Sequence, residues 1–303
     1  MGSTELVRVS ADKRTTYAVV SLAGSTGKTT TVVSIATDLA TKLGLRVRVI
    51  DTDSQANAST WLGYEDTHGK TIADVLRGEA TIADVELPGR VVSGETDEGE
   101  PVFGEIPNLT LVPARRATLD KVMIELAADP AGVFRLRDAL EEADPVDVTL
   151  IDCPGTMSTL VVSGILATTV SENDADPGAW GVIACTKPAY KENRGLPDLE
   201  NQLAVLRKTY RLDLRLLAVV PCVVTSANQG QVYIDQMEDL RTAYGDLVTP
   251  GIRRSGIVDE AFVNATPLPL YGYRAKNLAD DYRTVRKYLT KKLGLFERRA
   301  VAA

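Results

Sequence analysis

Tyr17-Ala-Val-Val-Ser-Leu-Ala-Gly24-Ser-Thr-Gly27-Lys28-Thr29-Thr30 runs from an apolar segment, through a glycine-containing turn, into a helix-forming stretch. Gly-Lys-Thr at a strand-to-helix junction is the core of a phosphate-binding loop. In such a loop backbone N–H groups and the helix N-terminus surround the β-phosphate. The lysine neutralises the β/γ oxygens, and the threonine hydroxyl coordinates Mg²⁺. The general pattern asks for a first glycine five positions before Gly27, and Leu22 stands there instead. The motif departs from the general form by that one residue, and the strand before it and the long helix after it carry the reading. The candidate nucleotide-binding residues are Gly24, Ser25, Thr26, Gly27, Lys28, Thr29 and Thr30.

Outward from this stretch, short apolar runs recur at Val47–Ile50, Leu109–Val112, Val148–Ile151, Trp180–Cys185 and Leu216–Val220. Helix-like stretches lie between them at Thr29–Leu43, Leu119–Glu142, Leu196–Tyr210, Gln231–Tyr244 and Leu278–Leu293. Strands that are apolar throughout are buried on both faces. The pattern predicts an α/β fold, a mostly parallel twisted sheet with helices on both faces, whose ligands bind at the carboxyl ends of the strands. Leu87–Pro107, acidic and rich in Gly and Pro, reads as a loop, and Ser171–Ala179 as a short polar insertion. One domain is expected over residues 17–296, with a flexible N-terminal segment at 1–16 and a C-terminal tail at 297–303.

Two further strand ends carry carboxylates. Val47-Arg-Val-Ile-Asp51-Thr-Asp53-Ser-Gln55-Ala-Asn57 ends a strand in two acids and two amides, and Val148-Thr-Leu-Ile-Asp152-Cys-Pro154-Gly155 ends one in a single acid. Acids so placed can hold a hydrated Mg²⁺ and orient an attacking water, or simply terminate their strands. Asp51, Asp53 and Asp152 are the candidates, in that order and all at strand ends.

Composition narrows the class. The chain has 303 residues, 44% hydrophobic and 25% charged, as in an ordinary folded protein. A single histidine, His68, leaves little for a zinc site or a histidine triad, and three cysteines make no disulfide framework. No run approaches the roughly 18 apolar residues of a membrane span. The net charge is −7, yet Arg274–Ala303 holds nine Lys/Arg against three acids. That basic end is either a polyanion-binding footprint or a solvated helix face.

The order and wording of these motifs resemble the ParA/MinD family of P-loop ATPases, specifically the small ParA partitioning proteins. Asp51–Gly63 is similar to that family's first switch region, and Asn108-Leu-Thr-Leu-Val-Pro-Ala and Thr186-Lys-Pro188 to later segments. Ile252-Arg-Arg-Ser-Gly-Ile-Val-Asp-Glu260-Ala261 and Pro267–Tyr271 are similar to its nucleotide-base loop and the helix after it. The resemblance runs from about Tyr17 to Leu293. It implies an ATPase that uses ATP and Mg²⁺, with Lys28, Asp53 and Asp51 catalytic and Thr29, Asp51 and Asp152 around the metal. It places the adenine against Ile252, Arg253 and Arg254. It also implies an ATP-dependent homodimer that binds non-specific DNA and is released when a ParB-like partner triggers hydrolysis. Such a protein is expected to be cytoplasmic and nucleoid-associated, with no membrane partner. Under this resemblance Arg254, Arg283, Arg286, Lys287, Lys291 and Lys292 are the candidate DNA contacts, with Tyr282, Val285, Leu289 and Leu293 on the opposite, docked face.

The family's loop usually carries a lysine that crosses to the partner subunit's phosphates, and here Ala23 stands in its place. Losing a cation from a closed phosphate site removes several kcal/mol of charge stabilisation. Lys187, after a strand end, is the candidate substitute; the alternative is a surface lysine. Positioning of a protein cargo, or a nucleotide-dependent DNA-binding scaffold with negligible turnover, are the alternative functions. An iron–sulfur role for Cys153 or a membrane-binding C-terminal tail finds little support, since Cys185 and Cys222 fall in apolar strands and the tail offers little apolar face.

Overall fold

Alternation within the strands decides the architecture. In β2 (Thr16–Val20), Tyr17 and Val19 enter one buried cluster while Ala18 and Val20 enter another on the opposite face. Each fully buried side chain of this size contributes about 1.5–3 kcal/mol, so a strand apolar on both sides needs cover on both sides. The computed structural model describes residues 4–8, 15–21, 24–65, 67–169, 180–188, 195–224, 231–292 and 296–300, without the side chains of 4–8, 231–233, 292 and 296–300. The insertion expected at Ser171–Ala179, together with Leu22, Ala23 and Leu293, lies outside these residues.

The central sheet has seven strands. In spatial order they are β4 (Leu87–Glu95), β5 (Pro101–Val112), β3 (Val47–Asp51), β6 (Val148–Asp152), β2, β7 (Trp180–Thr186) and β8 (Leu216–Pro221). All neighbours are parallel except β4 and β5. One face is covered by α1 (Lys28–Leu43), α2 (Asn57–Trp61), α10 (Ile257–Val263) and α11 (Lys276–Lys292). The other is covered by α3 (Ile72–Arg77), α4 (Ile82–Val85), α5 (Arg116–Ala128), α6 (Arg135–Glu142), α7 (Thr159–Leu166), α8 (Gly195–Tyr210) and α9 (Gln231–Tyr244). The expected α/β sheet with helices on both faces is present.

Three expectations are corrected. The segment Leu87–Pro107 is a β-hairpin at the sheet edge, not a loop. Thr96 and Glu100 close its turn through a 2.8 Å hydrogen bond, with Gly99 at φ 82°. An edge hairpin is exposed over much of its length, so it tolerates the charges and glycines that read as loop. The single helix expected over Leu119–Glu142 is two, α5 and α6, joined through a 3₁₀ turn at Gly132–Phe134. A Cβ at Gly132 would stand 2.3 Å from the Leu126 carbonyl oxygen, so only glycine fits this reversal. Finally, β1 (Thr4–Arg8), in the segment expected to be flexible at 1–16, pairs antiparallel with β9 (Phe296–Ala300), which straddles the expected boundary after residue 296, in a separate two-stranded ribbon.

Candidate functional site

The strands β2, β3 and β6 are neighbours, and their carboxyl ends bring three motifs of the sequence to one place. After β2 the chain turns through Ser25 (φ 55°) and Gly27 (φ 85°) and enters α1. Gly27 caps α1 without any side-chain cap, so the first N–H groups of the helix face the adjoining cleft unclaimed by a capping side chain. A Cβ at Gly27 would meet that of Cys222 at 3.2 Å, which with the positive φ restricts this position to glycine. Lys28 is buried, with Nζ 3.0 Å from Ser21 Oγ. Thr29 Oγ1 donates to Asp152 Oδ2 at 2.7 Å.

Asp51 and Asp152 are register partners at the ends of β3 and β6, and both are fully buried. Burial pushes the Asp51 carboxyl up to about 6, against the hydrogen bonds from Ser59 and Asp53 that favour its charged form. Asp152 is raised well above the usual carboxylate range, by burial first and then by the Asp51 charge. Asp152 Oδ1 is buried without a hydrogen-bond partner. An orphaned carboxylate oxygen beside a threonine hydroxyl, in a site that penalises negative charge, is a donor set that fits a divalent cation.

Asp51 is engaged differently from the expectation. Its Oδ1 accepts from the Asp53 N–H at 3.1 Å, and its Oδ2 from the Ser59 N–H at 2.9 Å and the Ser59 hydroxyl at 2.8 Å. Ser59 Oγ in turn accepts from the Ala114 N–H at 2.9 Å, at the end of β5. Asp51 therefore ties the Asp53–Ser59 segment to the sheet; like Asp152 it lies behind the cleft lining, but both of its oxygens are engaged. Asp53 does line the cleft, and its Oδ1 accepts from the Gln55 N–H at 3.0 Å.

The cleft has a volume of about 840 Å³, within the range of roughly 300–1,000 Å³ typical of small-molecule sites. It holds all seven loop residues Gly24 to Thr30, with Asp53 and Pro154–Thr156 at one side and Ile252, Arg253 and Arg254 at another. The second wall is stitched to β8, where the Ile252 N–H donates to the Pro221 carbonyl at 2.8 Å and the Val224 N–H to the Ile252 carbonyl at 2.8 Å. Ile252 is buried, while Arg253 and Arg254 are exposed. Ser21, Ser59, Trp61 and Phe262 are not among the residues expected at the site, and Tyr282, expected only on the docked face of the C-terminal helix, also lines the cleft. Trp61 and Phe262 pack edge-to-face with centroids 5.6 Å apart in the cleft wall. Their signal was present for Ser59 and Trp61, which lie inside the Asp51–Gly63 stretch; Phe262 and Tyr282 come from distant elements.

Of the candidate polyanion contacts, Arg254, Lys287 and Lys291 are exposed. Arg283 is half-exposed and paired with Asp280. The expectation for Arg286 is corrected: it is buried, with Nε 2.8 Å from Asp38 Oδ2 on α1, because its position on α11 faces the neighbouring helix. The Lys292 side chain lies outside the described residues. Lys187 is half-buried at the end of β7 and outside the cleft lining.

A parallel sheet with a Gly-Lys-Thr loop at its carboxyl edge defines a P-loop nucleotide-binding protein. Residues 14–216 match a family model described as an AAA domain. The chromosome partitioning protein ParA of Caulobacter vibrioides is 30% identical over 288 residues, covering 93% of this chain and 97% of that protein. Maintenance of carboxysome distribution protein A of Synechococcus elongatus is 26% identical over 280 residues, covering 89% and 97%. Among solved structures, an ATP complex of Cyanothece McdA superposes with a TM-score of 0.72 at 18% identity, covering 96% and 99%. The chain belongs to the ParA family of partitioning ATPases. No helix among the described residues is long and apolar enough to cross a membrane.

Proposed function

We propose that this chain is a Mg²⁺- and ATP-dependent dimerising ATPase that segregates DNA, binding non-specific DNA in its ATP state and leaving it when a ParB-like partner accelerates hydrolysis. The observation that carries this reading is a cleft lined by Lys28, Thr29 and Asp53, with Asp152 buried behind Thr29 and one of its oxygens without a hydrogen-bond partner. Thr29 Oγ1 and Asp152 would hold the metal, which when bound offsets the charge of the phosphate oxygens. The N–H groups opening α1 and the Lys28 ammonium receive the phosphates. Asp53, at the cleft edge, orients a water toward the terminal phosphate. Asp51 holds the Asp53–Ser59 segment in register through Ser59, which amends its expected place beside the metal. Ile252 supplies an apolar surface for the base, with Arg253 and Arg254 beside it. Hydrolysis is slow without the partner, because the water-orienting geometry is completed late.

Turnover tests this reading. ATPase activity measured with DNA and the partner present should fall at least about tenfold in Asp53→Ala, with nucleotide affinity retained. Equal background rates in both proteins would favour a DNA-binding scaffold with negligible turnover, the reading that Ala23 favours. Similarity to a carboxysome distribution protein favours a second cargo, a protein assembly in place of a replicon. A partner that binds a DNA site supports segregation; one that binds a protein shell supports positioning.

A further inference from the structure

The C-terminal helix α11 is fastened to the cleft at two points. Leu278 and Tyr282 are themselves part of the cleft lining. Between them in sequence, Asp281 accepts from the Arg253 backbone N–H at 3.1 Å and Nε at 2.6 Å through Oδ2, and from Nη2 at 2.7 Å through Oδ1. A bidentate pair with a backbone bond added fixes both the guanidinium plane and the loop that carries it. The Asp281 side chain is 15% exposed and that of Arg253 53%, so the carboxylate is the sheltered half of the pair and the guanidinium the solvated one. Five residues on, Arg286 reaches Asp38 of α1 at 2.8 Å, both side chains being buried, and Arg283 Nε stands 3.7 Å from the other Asp38 oxygen. α1 is the helix whose N-terminus forms the phosphate loop. One helix thus joins the Ile252–Arg254 wall to the phosphate-loop helix, and it exposes Lys287 and Lys291 to solvent.

We propose that Asp281 is a positioning residue for the nucleotide cleft. It presets Arg253 and the Ile252–Arg254 wall, and together with the Asp38–Arg286 pair it makes α11 seat as one body with the cleft. Nucleotide binding and the seating of α11 then stabilise each other by the same factor, as linkage requires. A ligand that prefers the seated helix, including a polyanion on its lysines, inherits that coupling. The inference rests on the nucleotide reading of the cleft and is independent of the DNA reading.

Hydrogen–deuterium exchange with a non-hydrolysable ATP analogue and Mg²⁺, read alongside calorimetric affinity, tests it. The proteins are the parent, Asp281→Asn, Asp281→Glu and, as a charge-matched control on the same helix, Asp280→Asn. The analogue should protect both 24–30 and 276–290 in the parent and in Asp280→Asn. Asp281→Asn should bind about fivefold more weakly. At saturation it should keep protection at 24–30 and lose it at 276–290, and Asp281→Glu should restore part of both. Protection at 24–30 with no change in α11 of the parent overturns the inference. So does an Asp281→Asn protein that matches the parent, or one whose α11 exchanges freely even without nucleotide, since the pair would then hold the helix's fold and not its seating. Absence of protection at 24–30 in the parent would instead overturn the nucleotide reading, and this inference with it.

Discussion

Asp51 and Asp152 stand side by side at two strand ends, and their neighbours give them different tasks. Asp152 keeps a buried oxygen without a partner, whereas Asp51 has both oxygens engaged by Asp53 and Ser59. Ser59 is the hub, since its hydroxyl also receives the Ala114 N–H. Replacing Ser59 with Ala leaves that N–H and part of Asp51 unpaired, at a cost of about 1–3 kcal/mol. The expected result for Ser59→Ala is a lower Tm and turnover down about tenfold at saturating ATP, with nucleotide affinity within about twofold. Calorimetry beside steady-state rates checks this, and an affinity loss as large as the rate loss would contradict it. At this scale the sequence was legible where a residue's chemistry is fixed by its place in a motif, as for Lys28, Thr29, Asp53 and Asp152. It could not tell which acid of Asp51 and Asp53 turns inward, because spacing alone does not reveal hydrogen-bond partners eight residues away.

Helices and strands were legible to the degree that burial is two-sided. The strands β3, β6, β7 and β8 are apolar runs because both faces are covered, and they fall where the sequence places them. The β4–β5 hairpin was not legible, since an edge exposed over much of its length needs no such run. The break between α5 and α6 was legible in Asp129-Pro130-Ala-Gly132, since a proline ends a helix at the residue before it, and an apolar period carried across that signal misplaced the helix. On α11, Tyr282, Val285 and Leu289 are buried as the helical period predicts. Arg286 is buried with them, because a period cannot separate a charged residue facing water from one facing a buried partner such as Asp38. Arg286→Ala leaves Asp38 buried with only the more distant Arg283 guanidinium as partner, so it should destabilise by about 3 kcal/mol in denaturant titration. Lys287→Ala, one residue on and exposed, should leave stability within about 0.5 kcal/mol. Equal effects of the two changes would contradict the pairing.

Across the whole molecule, charge and cleft work at different ranges. The chain carries a net charge of −7 and concentrates basic residues at its C-terminal end. Under the proposed DNA reading, polyanion binding would come from a local patch, which an ATP-dependent dimer would double. DNA affinity should fall more steeply with salt in the presence of ATP than of ADP, by about 0.9 in log–log slope for each added phosphate contact. Fluorescence anisotropy with a DNA of arbitrary sequence measures it, and identical slopes would contradict an ATP-gated DNA surface.

On the proposed reading, the loop from Gly24 to Thr30, with Asp152 behind it, grips a magnesium-bound triphosphate. Isothermal titration of Mg²⁺-ATP into the parent protein and into Lys28→Ala reads that grip. Saturable heat in the parent and at least about a hundredfold weaker binding in Lys28→Ala is the predicted result; no heat in the folded parent, or matching isotherms in both proteins, would contradict it.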